Sequence, residues 1–227
     1  MEIWRLGDLA IDLEIRAAGD SALVVELAPR IDPAINAHAI AIAKALRELG
    51  RSDLLDIVPT YRSVAVYFDP LKTDASELRA TVARVSESVG ELAIPERPPI
   101  EVPVCYGGEY GPDLPSVARF GNCSEAEVVR LHSDRLYRVY MLGFMPGRAY
   151  MALVDPRIAV PRHPTPRLKV PAGSVGIARQ QTGFGSAESP SGWQIIGRTS
   201  VQQFDLTRER PFLFEAGDTV RFVPVEP

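Results

Sequence analysis

A sharp turn in the second half of the chain has the composition of a ligand-binding loop. Residues 142–150 read LGFMPGRAY, so two glycines flank an aromatic residue and a proline directly after a predicted strand. A turn of this kind can present backbone amides and a side chain to a small molecule. An ordinary corner between two barrel strands is the alternative interpretation.

A second segment is stiffened by prolines and carries two cations. Residues 164–176 read PTPRLKVPAGSVG, with Arg167 as one of these cations. The glycines would allow the backbone amides of residues 173–176 to converge on an anion. The alternative is a rigid surface loop whose charges are solvated.

A third segment places an arginine in a predicted strand. Arg198 lies two residues after a pair of isoleucines. The same segment contains the polar pair Gln181 and Thr182 and, between them and Arg198, the sequence ESPSGW at 188–193. A guanidinium among apolar neighbours is either paired with a carboxylate or directed at an anionic ligand. This segment therefore predicts either a structural ion pair or an anion site.

His132 falls near the end of a predicted helix. Residues 124–127 read SEAE, a capping box in which Ser124 accepts from the Glu127 amide while Glu127 reaches back. A helix C-terminus favours a protonated imidazole, which predicts a cap-like structural role. A general base is the alternative function.

Several classes of protein are excluded by motifs and composition. The sequence has no phosphate-binding loop, dinucleotide-binding glycine motif, nucleophile elbow or zinc-protease helix. Its two cysteines form no C-x-x-C pair and its three histidines are scattered, so we predict no metal site. The net charge of −4 predicts no nucleic-acid partner. Without a membrane-spanning run or a signal-peptide core, the expected location is cytoplasmic, with no membrane partner.

The distribution of glycine and proline predicts two domains. Residues 1–94 contain 4 Gly and 4 Pro, whereas residues 95–227 contain 13 Gly and 16 Pro. We predict a first domain over 1–94, a stiff linker at 95–99 and a second domain over 100–227.

Hydrophobic periodicity predicts a different architecture for each domain. In the first, two amphipathic helices, at 33–49 and 78–89, cover one face of a small antiparallel sheet with strands at 11–15, 22–27, 54–58 and 64–68. In the second, one short helix accompanies strands at 100–104, 136–142, 174–178, 193–199, 211–214 and 219–225, which predict a closed barrel. The fold class is thus an α+β N-terminal domain followed by a mainly-β barrel.

An ordered series of motifs resembles one known family. The matching motifs are GDxAL at 19–23, DIVPxY at 56–61, GFxPGxxY at 143–150, VPAGSVGIA at 170–178, QTG at 181–183, IGRT at 196–199 and GDxVxFxP at 217–224. They resemble the family of 5-oxoprolinase B-type subunits and KipI, also described as allophanate hydrolase subunit 1, a carboxyltransferase subdomain C and D type.

The resemblance implies a cyclophilin-like barrel in a hydrolase component that is active only with the C-type and A-type subunits of 5-oxoprolinase as partners. The implied reaction is ATP-dependent opening of the 5-oxo-L-proline lactam to L-glutamate, or attack on a related urea- or allophanate-type amide. ATP is the cofactor of the complex, although this chain has no nucleotide-binding motif. Because amide resonance makes a lactam a poor electrophile, phosphorylation of its oxygen would prepare it for water.

Such a reaction needs donors for anionic oxygens and a base for water, and it suggests roles for the three segments. We expect Arg198 and Arg167 to bind anions, Gln181 and Thr182 to orient the substrate, and His132 to act as the base. An anion nest would form around Gly173 and Ser174, and Tyr150 and Arg148 would contact the substrate. Arg148 stands where the family commonly has an aromatic residue, which favours a more anionic substrate.

Two other functions compete with the enzyme component. A KipI-type inhibitor would bind a sensor histidine kinase and block its autophosphorylation, and it would show an uncharged barrel cleft with exposed apolar side chains on the first domain. A peptide-proline isomerase rests on barrel analogy alone.

Overall fold

The computed structural model describes residues 3–6, 9–89 and 98–226, and for residues 3–6 and 9–12 it describes the backbone alone. The chain divides into two units, Met1–Pro95 and Glu96–Pro227. Residues 95–97 of the predicted linker lie outside the described residues, and the predicted domain boundaries stay predictions.

A four-stranded antiparallel sheet organises the first unit. Its strands are β3 (Glu14–Ala17), β4 (Ala22–Glu26), β5 (Leu54–Pro59) and β6 (Ser63–Phe68), in the order β3-β4-β6-β5. A separate hairpin joins β1 (Ile3–Leu6) to β2 (Leu9–Asp12). The single strand predicted at 11–15 is therefore wrong, because β2 pairs with β1 whereas β3 pairs with β4.

Two helices, α1 (Pro33–Glu48) and α2 (Ala75–Ser88), bury apolar side chains against this unit's core. The start of α1 is confirmed, since the Asp32 carboxylate accepts hydrogen bonds from the amides of Ala34 and Ile35. Ile42 is fully buried on the predicted apolar face. Leu49 lies just beyond the helix and is 44% exposed, so it does not belong to that face.

Seven strands of the second unit close into a barrel. Their order is β11-β12-β9-β8-β15-β7-β14, with β7 (Ile100–Tyr106), β8 (Leu136–Leu142), β9 (Ala149–Ala152), β11 (Ser174–Ala178), β12 (Gln181–Phe184), β14 (Gln194–Arg198) and β15 (Thr219–Pro224). All neighbours are antiparallel except β15 and β7, which are parallel. A closed barrel is what the alternating short strands predict.

The remaining elements lie outside the barrel wall. They are the two-stranded ribbon β10 (Arg167–Val170) and β13 (Ser189–Ser191), the helices α3 (Leu114–Phe120) and α4 (Glu125–Ser133), and a 3₁₀ turn at Pro156–Ile158. The strand predicted at 211–214 is wrong, because Phe212 forms only an isolated bridge with Phe204.

The capping box at the start of α4 is only half realised. Ser124 accepts a hydrogen bond from the Glu127 amide, as predicted. The Glu127 carboxylate, however, binds the guanidinium groups of Arg130 and Arg157 rather than reaching back to the helix start. Charged partners on the surface thus replace the reciprocal half of the cap.

Inward-facing side chains fill the barrel. Val102 and Phe222, from the parallel pair of strands, are buried in one cluster with Ile177 of β11. Because side chains alternate along a strand, Ser174 and Gly176 of β11 face outward. The barrel interior is therefore packed with side chains, and a pocket lies on its outer face.

Candidate small-molecule site

A small pocket lies between the outer face of the barrel and the β10–β13 ribbon. Ser174 and Gly176 of β11 and Ile195 of β14 contribute from the barrel wall, and Ser189 and Ser191 contribute from the ribbon. The lining combines apolar side chains with three serine hydroxyls and one arginine, a composition typical of small-molecule sites.

Arg148 is the charged side chain of this pocket. The residue is only 7% exposed, and its guanidinium carbon lies 5.0 Å from the ring centroid of Trp193, 5.3 Å from that of Tyr150 and 5.5 Å from that of Phe144. Its Nε atom is buried without a hydrogen-bond partner among the described residues. Burial lowers the pKa of Arg148, and the charge of Arg162 acts in the same direction, yet an arginine stays protonated.

The turn before β9 holds Arg148 in place. Phe144 has a left-handed φ of 70° and Gly147 a φ of 74°, and the Gly143 amide donates to the Arg148 carbonyl at 3.0 Å. The buried Gln203 side chain accepts from the Ala149 amide at 3.0 Å. Backbone strain and a buried polar anchor at one turn are typical of a functional segment.

Arg198 lies beside the same pocket. It is the register partner of Ser174 across the β11–β14 pair, and its guanidinium carbon lies 5.2 Å from the centroid of the Tyr110 ring. The Arg198 Nε atom is also buried without a hydrogen-bond partner among the described residues. Two arginines whose Nε atoms are buried and unbonded therefore lie in or beside this pocket.

Arg167 has a different environment. Its guanidinium makes two hydrogen bonds to the Asp113 carboxylate, at 2.7 and 2.8 Å, and Asp113 also accepts from the Ile195 amide at 2.7 Å. Burial opposes ionisation of Asp113, but these bonds and one from His163 outweigh it and lower the pKa of the carboxyl group. Arg167 is therefore engaged in a structural ion pair next to the pocket.

The imidazole of His132 lies inside the barrel. Its Nδ1 atom is 2.7 Å from the Tyr106 hydroxyl and its Nε2 atom 2.8 Å from the Thr182 hydroxyl. Because Thr182 donates to the Gly176 carbonyl, it accepts from Nε2–H, which leaves Nδ1 to accept from Tyr106. Burial lowers the pKa of His132 to about 3, so the ring is neutral.

Residues 13–214 match the family described as "Carboxyltransferase domain, subdomain C and D". The chain belongs to this family. It is 36% identical over 227 residues to the B-type subunit of 5-oxoprolinase from Bacillus subtilis, covering 96% of this chain and 95% of the relative. It is 40% identical over 209 residues to the B-type subunit of 5-oxoprolinase from Escherichia coli O157:H7, covering 91% of this chain and 93% of the relative.

Solved structures share the fold of this carboxyltransferase-family chain. A crystal structure of TTHA0988 matches 94% of this chain with a TM-score of 0.79 and 36% identity, and this chain spans 40% of that longer protein. The urea amidolyase of Kluyveromyces lactis matches 97% of this chain with a TM-score of 0.78 at 20% identity, over 15% of its own length. That second likeness concerns the fold alone.

The carboxyltransferase fold brings together only some of the sequence-predicted site residues. Arg148 and Ser174 line the pocket, Tyr150 packs on Arg148, and Arg198 and Gly173 lie next to Ser174. The amides of Gly173 and Ser174 donate to the carbonyls of Gly185 and Pro171, at 2.8 and 3.3 Å. These two amides are therefore already used within the protein and are not free for an anion nest.

The other predicted site residues lie elsewhere. His132 and Thr182 are buried in the barrel interior and bind each other. Gln181 pairs with Ala178, four residues along β11 from Ser174, or roughly 13 Å at the rise of a strand. The expected convergence of these three side chains with the arginines on one recess therefore does not occur.

Sequence reasoning missed several residues of this site. Asp113 pairs with Arg167 and so determines its environment. No local sequence pattern indicates this pairing, because the two residues are 54 positions apart. Ser189 and Ser191 belong to the third segment, but they were given no role, and nothing in the sequence indicates that their ribbon covers β11. Among the described residues, no group of three or more His, Cys, Asp or Glu could hold a metal ion. Within the same residues, no helix is both long and apolar enough to cross a membrane.

Proposed function

We propose that this chain is the B-type component of a 5-oxoprolinase complex, which opens the 5-oxo-L-proline lactam to L-glutamate at the expense of ATP. The main support for this proposal is the 36% sequence identity to the Bacillus subtilis 5-oxoprolinase component over nearly the full length of both chains. A related urea- or allophanate-type amide is the second substrate class within this proposal.

The pocket supports this function by the chemistry of its lining. Arg148 offers a cation, and Ser174, Ser189 and Ser191 offer hydroxyl donors. An amino-acid lactam carries one carboxylate and one amide, and such groups are recognised by a few placed donors in a largely apolar pocket.

The same pocket supports a division of labour between the components of the complex. The titratable side chain among its lining residues is Arg148, which stays protonated and cannot remove a proton from water. His132 is neutral, but both of its nitrogens are engaged inside the barrel. In this proposal the base, the nucleotide site and the phosphorylation of the lactam oxygen belong to the A-type and C-type partners.

The inhibitor alternative requires an uncharged barrel cleft. Exposed apolar side chains do occur in the first unit, with Leu71 94% and Leu55 65% exposed. The pocket on the barrel, however, is lined by Arg148. We therefore argue for the enzyme component and use kinase inhibition as an opposing outcome of its test.

The test is reconstitution with the A-type and C-type partners encoded by the same genome. L-Glutamate and ADP are measured together after addition of 5-oxo-L-proline and ATP, with each component omitted in turn. We expect glutamate release to fall at least about a hundredfold when this chain is omitted, the scale of losing a transition-state binding element.

Three results would contradict the proposal or narrow it. Unchanged glutamate release without this chain would remove it from the enzyme. Turnover of urea or allophanate in place of 5-oxoproline would select the second substrate class. No turnover together with tight inhibition of a histidine kinase would establish the inhibitor function instead.

A further inference from the structure

We propose that Arg148 is the anchor for a carboxylate group of the small molecule that occupies the pocket. This inference deepens the proposed function and relies on it only for the choice of 5-oxo-L-proline as the first probe. It assigns the anion-binding role to a residue of the turn before β9, rather than to the paired Arg167.

The first observation is a buried cation without a counter-ion. Arg148 is 7% exposed, and neither a carboxylate ion pair nor a hydrogen bond of its Nε atom occurs within the described parts of the chain. A buried charge is normally paired, because its loss of hydration is otherwise uncompensated. Three aromatic rings within 5.5 Å of the guanidinium carbon supply part of the compensation through cation–π contacts.

Arg167 shows what a structural arginine looks like in the same unit. Its guanidinium forms two charge-assisted hydrogen bonds with Asp113, so its charge is paired within the protein. Arg148 has the aromatic packing of a well-ordered side chain but lacks this pairing. The difference indicates that the partner of Arg148 is a molecule that enters the pocket.

The surroundings of Arg148 favour an anion. The pocket lining contributes three serine hydroxyls and no acidic side chain among the described residues. Arg162 adds a positive charge close enough to influence Arg148, and Arg198 lies beside Ser174. The nearby acidic residue Glu188 faces Lys169, which it approaches to 3.6 Å.

The shape of the site favours a carboxylate over a phosphoryl group. A planar guanidinium matches the two oxygens of a carboxylate, and the Trp193 side chain in the same lining offers an apolar surface beside it. The two backbone amides nearest the glycine loop, of Gly173 and Ser174, donate within the protein. A phosphate would therefore lack the converging amides that usually hold it.

Trp193 provides a direct optical readout, since it lines the pocket and contacts Arg148. The chain has two tryptophans, so a Trp4→Phe background leaves Trp193 as the sole reporter. The full chain is titrated separately with 5-oxo-L-proline, with its uncharged counterpart 2-pyrrolidinone, and with inorganic phosphate. Arg148→Met removes the charge and keeps an unbranched chain, whereas Arg148→Lys keeps the charge without the planar fork.

Lys169→Met is the matched control, because it removes the same charge from an 81% exposed side chain on the adjoining ribbon. We expect 5-oxo-L-proline to bind the parent at least about tenfold more tightly than 2-pyrrolidinone or phosphate. Arg148→Met should weaken its binding at least about tenfold, Arg148→Lys should lie between, and Lys169→Met should stay within about twofold of the parent.

Four outcomes would overturn the carboxylate anchor. They are no saturable response to 5-oxo-L-proline, equal affinity for 2-pyrrolidinone, tighter binding of phosphate, and unchanged affinity in Arg148→Met. If circular dichroism shows that Arg148→Met does not fold, the test rests on Arg148→Lys. Parent-like affinity for 5-oxo-L-proline in that variant would then contradict the planar-fork contact. If the chain binds 5-oxo-L-proline but the reconstituted complex is inactive, the proposed function is contradicted and the carboxylate anchor still holds.

Discussion

Three arginines of the second unit differ in the groups that surround their guanidinium. Arg167 is paired with Asp113, Arg198 packs on Tyr110, and Arg148 is enclosed by aromatic rings. The residue type is the same in each case, so partner and burial decide the role. The paired arginine supports structure, whereas the two arginines without an acidic partner among the described residues lie in or beside the pocket.

At the residue scale, loss of Asp113 should destabilise the second unit. In Asp113→Ala the buried Ile195 amide and the Arg167 guanidinium lose their acceptor, and we expect a loss of about 2–4 kcal/mol in the free energy of unfolding. Urea unfolding followed by Trp193 fluorescence in the Trp4→Phe chain measures it. Asp134→Ala, which removes an exposed ion pair with Arg130, should cost less than about 1 kcal/mol. Equal costs for the two variants would contradict a structural role for the Asp113–Arg167 pair.

At the scale of elements, the turn before β9 and the β10–β13 ribbon make the pocket, while the barrel wall supplies its floor. Gly147 allows this turn to approach the segment around Gln203: a Cβ at Gly147 would lie 2.7 Å from the Gln203 carbonyl oxygen. Gly108 has a comparable positive φ of 52° but open space around it. Alanine variants at these two glycines therefore separate the cost of a left-handed backbone from the cost of a steric clash.

Gly147→Ala should therefore cost more than Gly108→Ala. Both variants force an L side chain into the left-handed region, at about 1–2 kcal/mol, but only Gly147→Ala also displaces the turn. We expect an additional loss of at least about 1 kcal/mol in urea unfolding of Gly147→Ala. The same variant should weaken the Trp193 response to 5-oxo-L-proline. Identical stability and identical binding in the two variants would show that the close approach is unimportant.

At the scale of the whole molecule, the buried His132 network couples stability to pH. The folded-state pKa of His132 is about 3, below the ordinary value of 6.5, because burial disfavours the imidazolium. Below pH 6.5 the unfolded chain therefore binds a proton that the folded chain does not. The stability contributed by the neutral ring is fully present above that pH and is lost as the pH falls toward 3.

This coupling predicts that the free energy of unfolding falls as the pH drops below 6.5, with a slope that approaches about 1.4 kcal/mol per pH unit near pH 5. Trp193 fluorescence during urea unfolding at several pH values measures the slope in the second unit. His132→Gln should flatten it. His38→Gln is the matched control, because burial also lowers the pKa of His38 but this residue belongs to the first unit. An unchanged slope in His132→Gln would contradict the assignment.

Local signals account for the parts of the fold that were predicted correctly. Asp32 and Pro33 start α1 and Ser124 starts α4, because a cap acts on amides within three residues of itself. Alternation along β11 is likewise a property of consecutive residues. The division between β2 and β3, and the absence of a strand at 211–214, depend on pairing partners that periodicity does not specify.

The amino-acid sequence alone determined the α+β and barrel character, the family and the segments that contribute to the pocket, because each of these depends on local sequence patterns. Tertiary structure decided which polar groups meet. Asp113 reaches Arg167 across 54 residues, and Thr182 reaches His132 across 50. These contacts place two expected site residues inside the barrel and leave Arg148 as the unpaired cation of the pocket. The physical reason is that burial and charge pairing arise only when distant strands close around a common core.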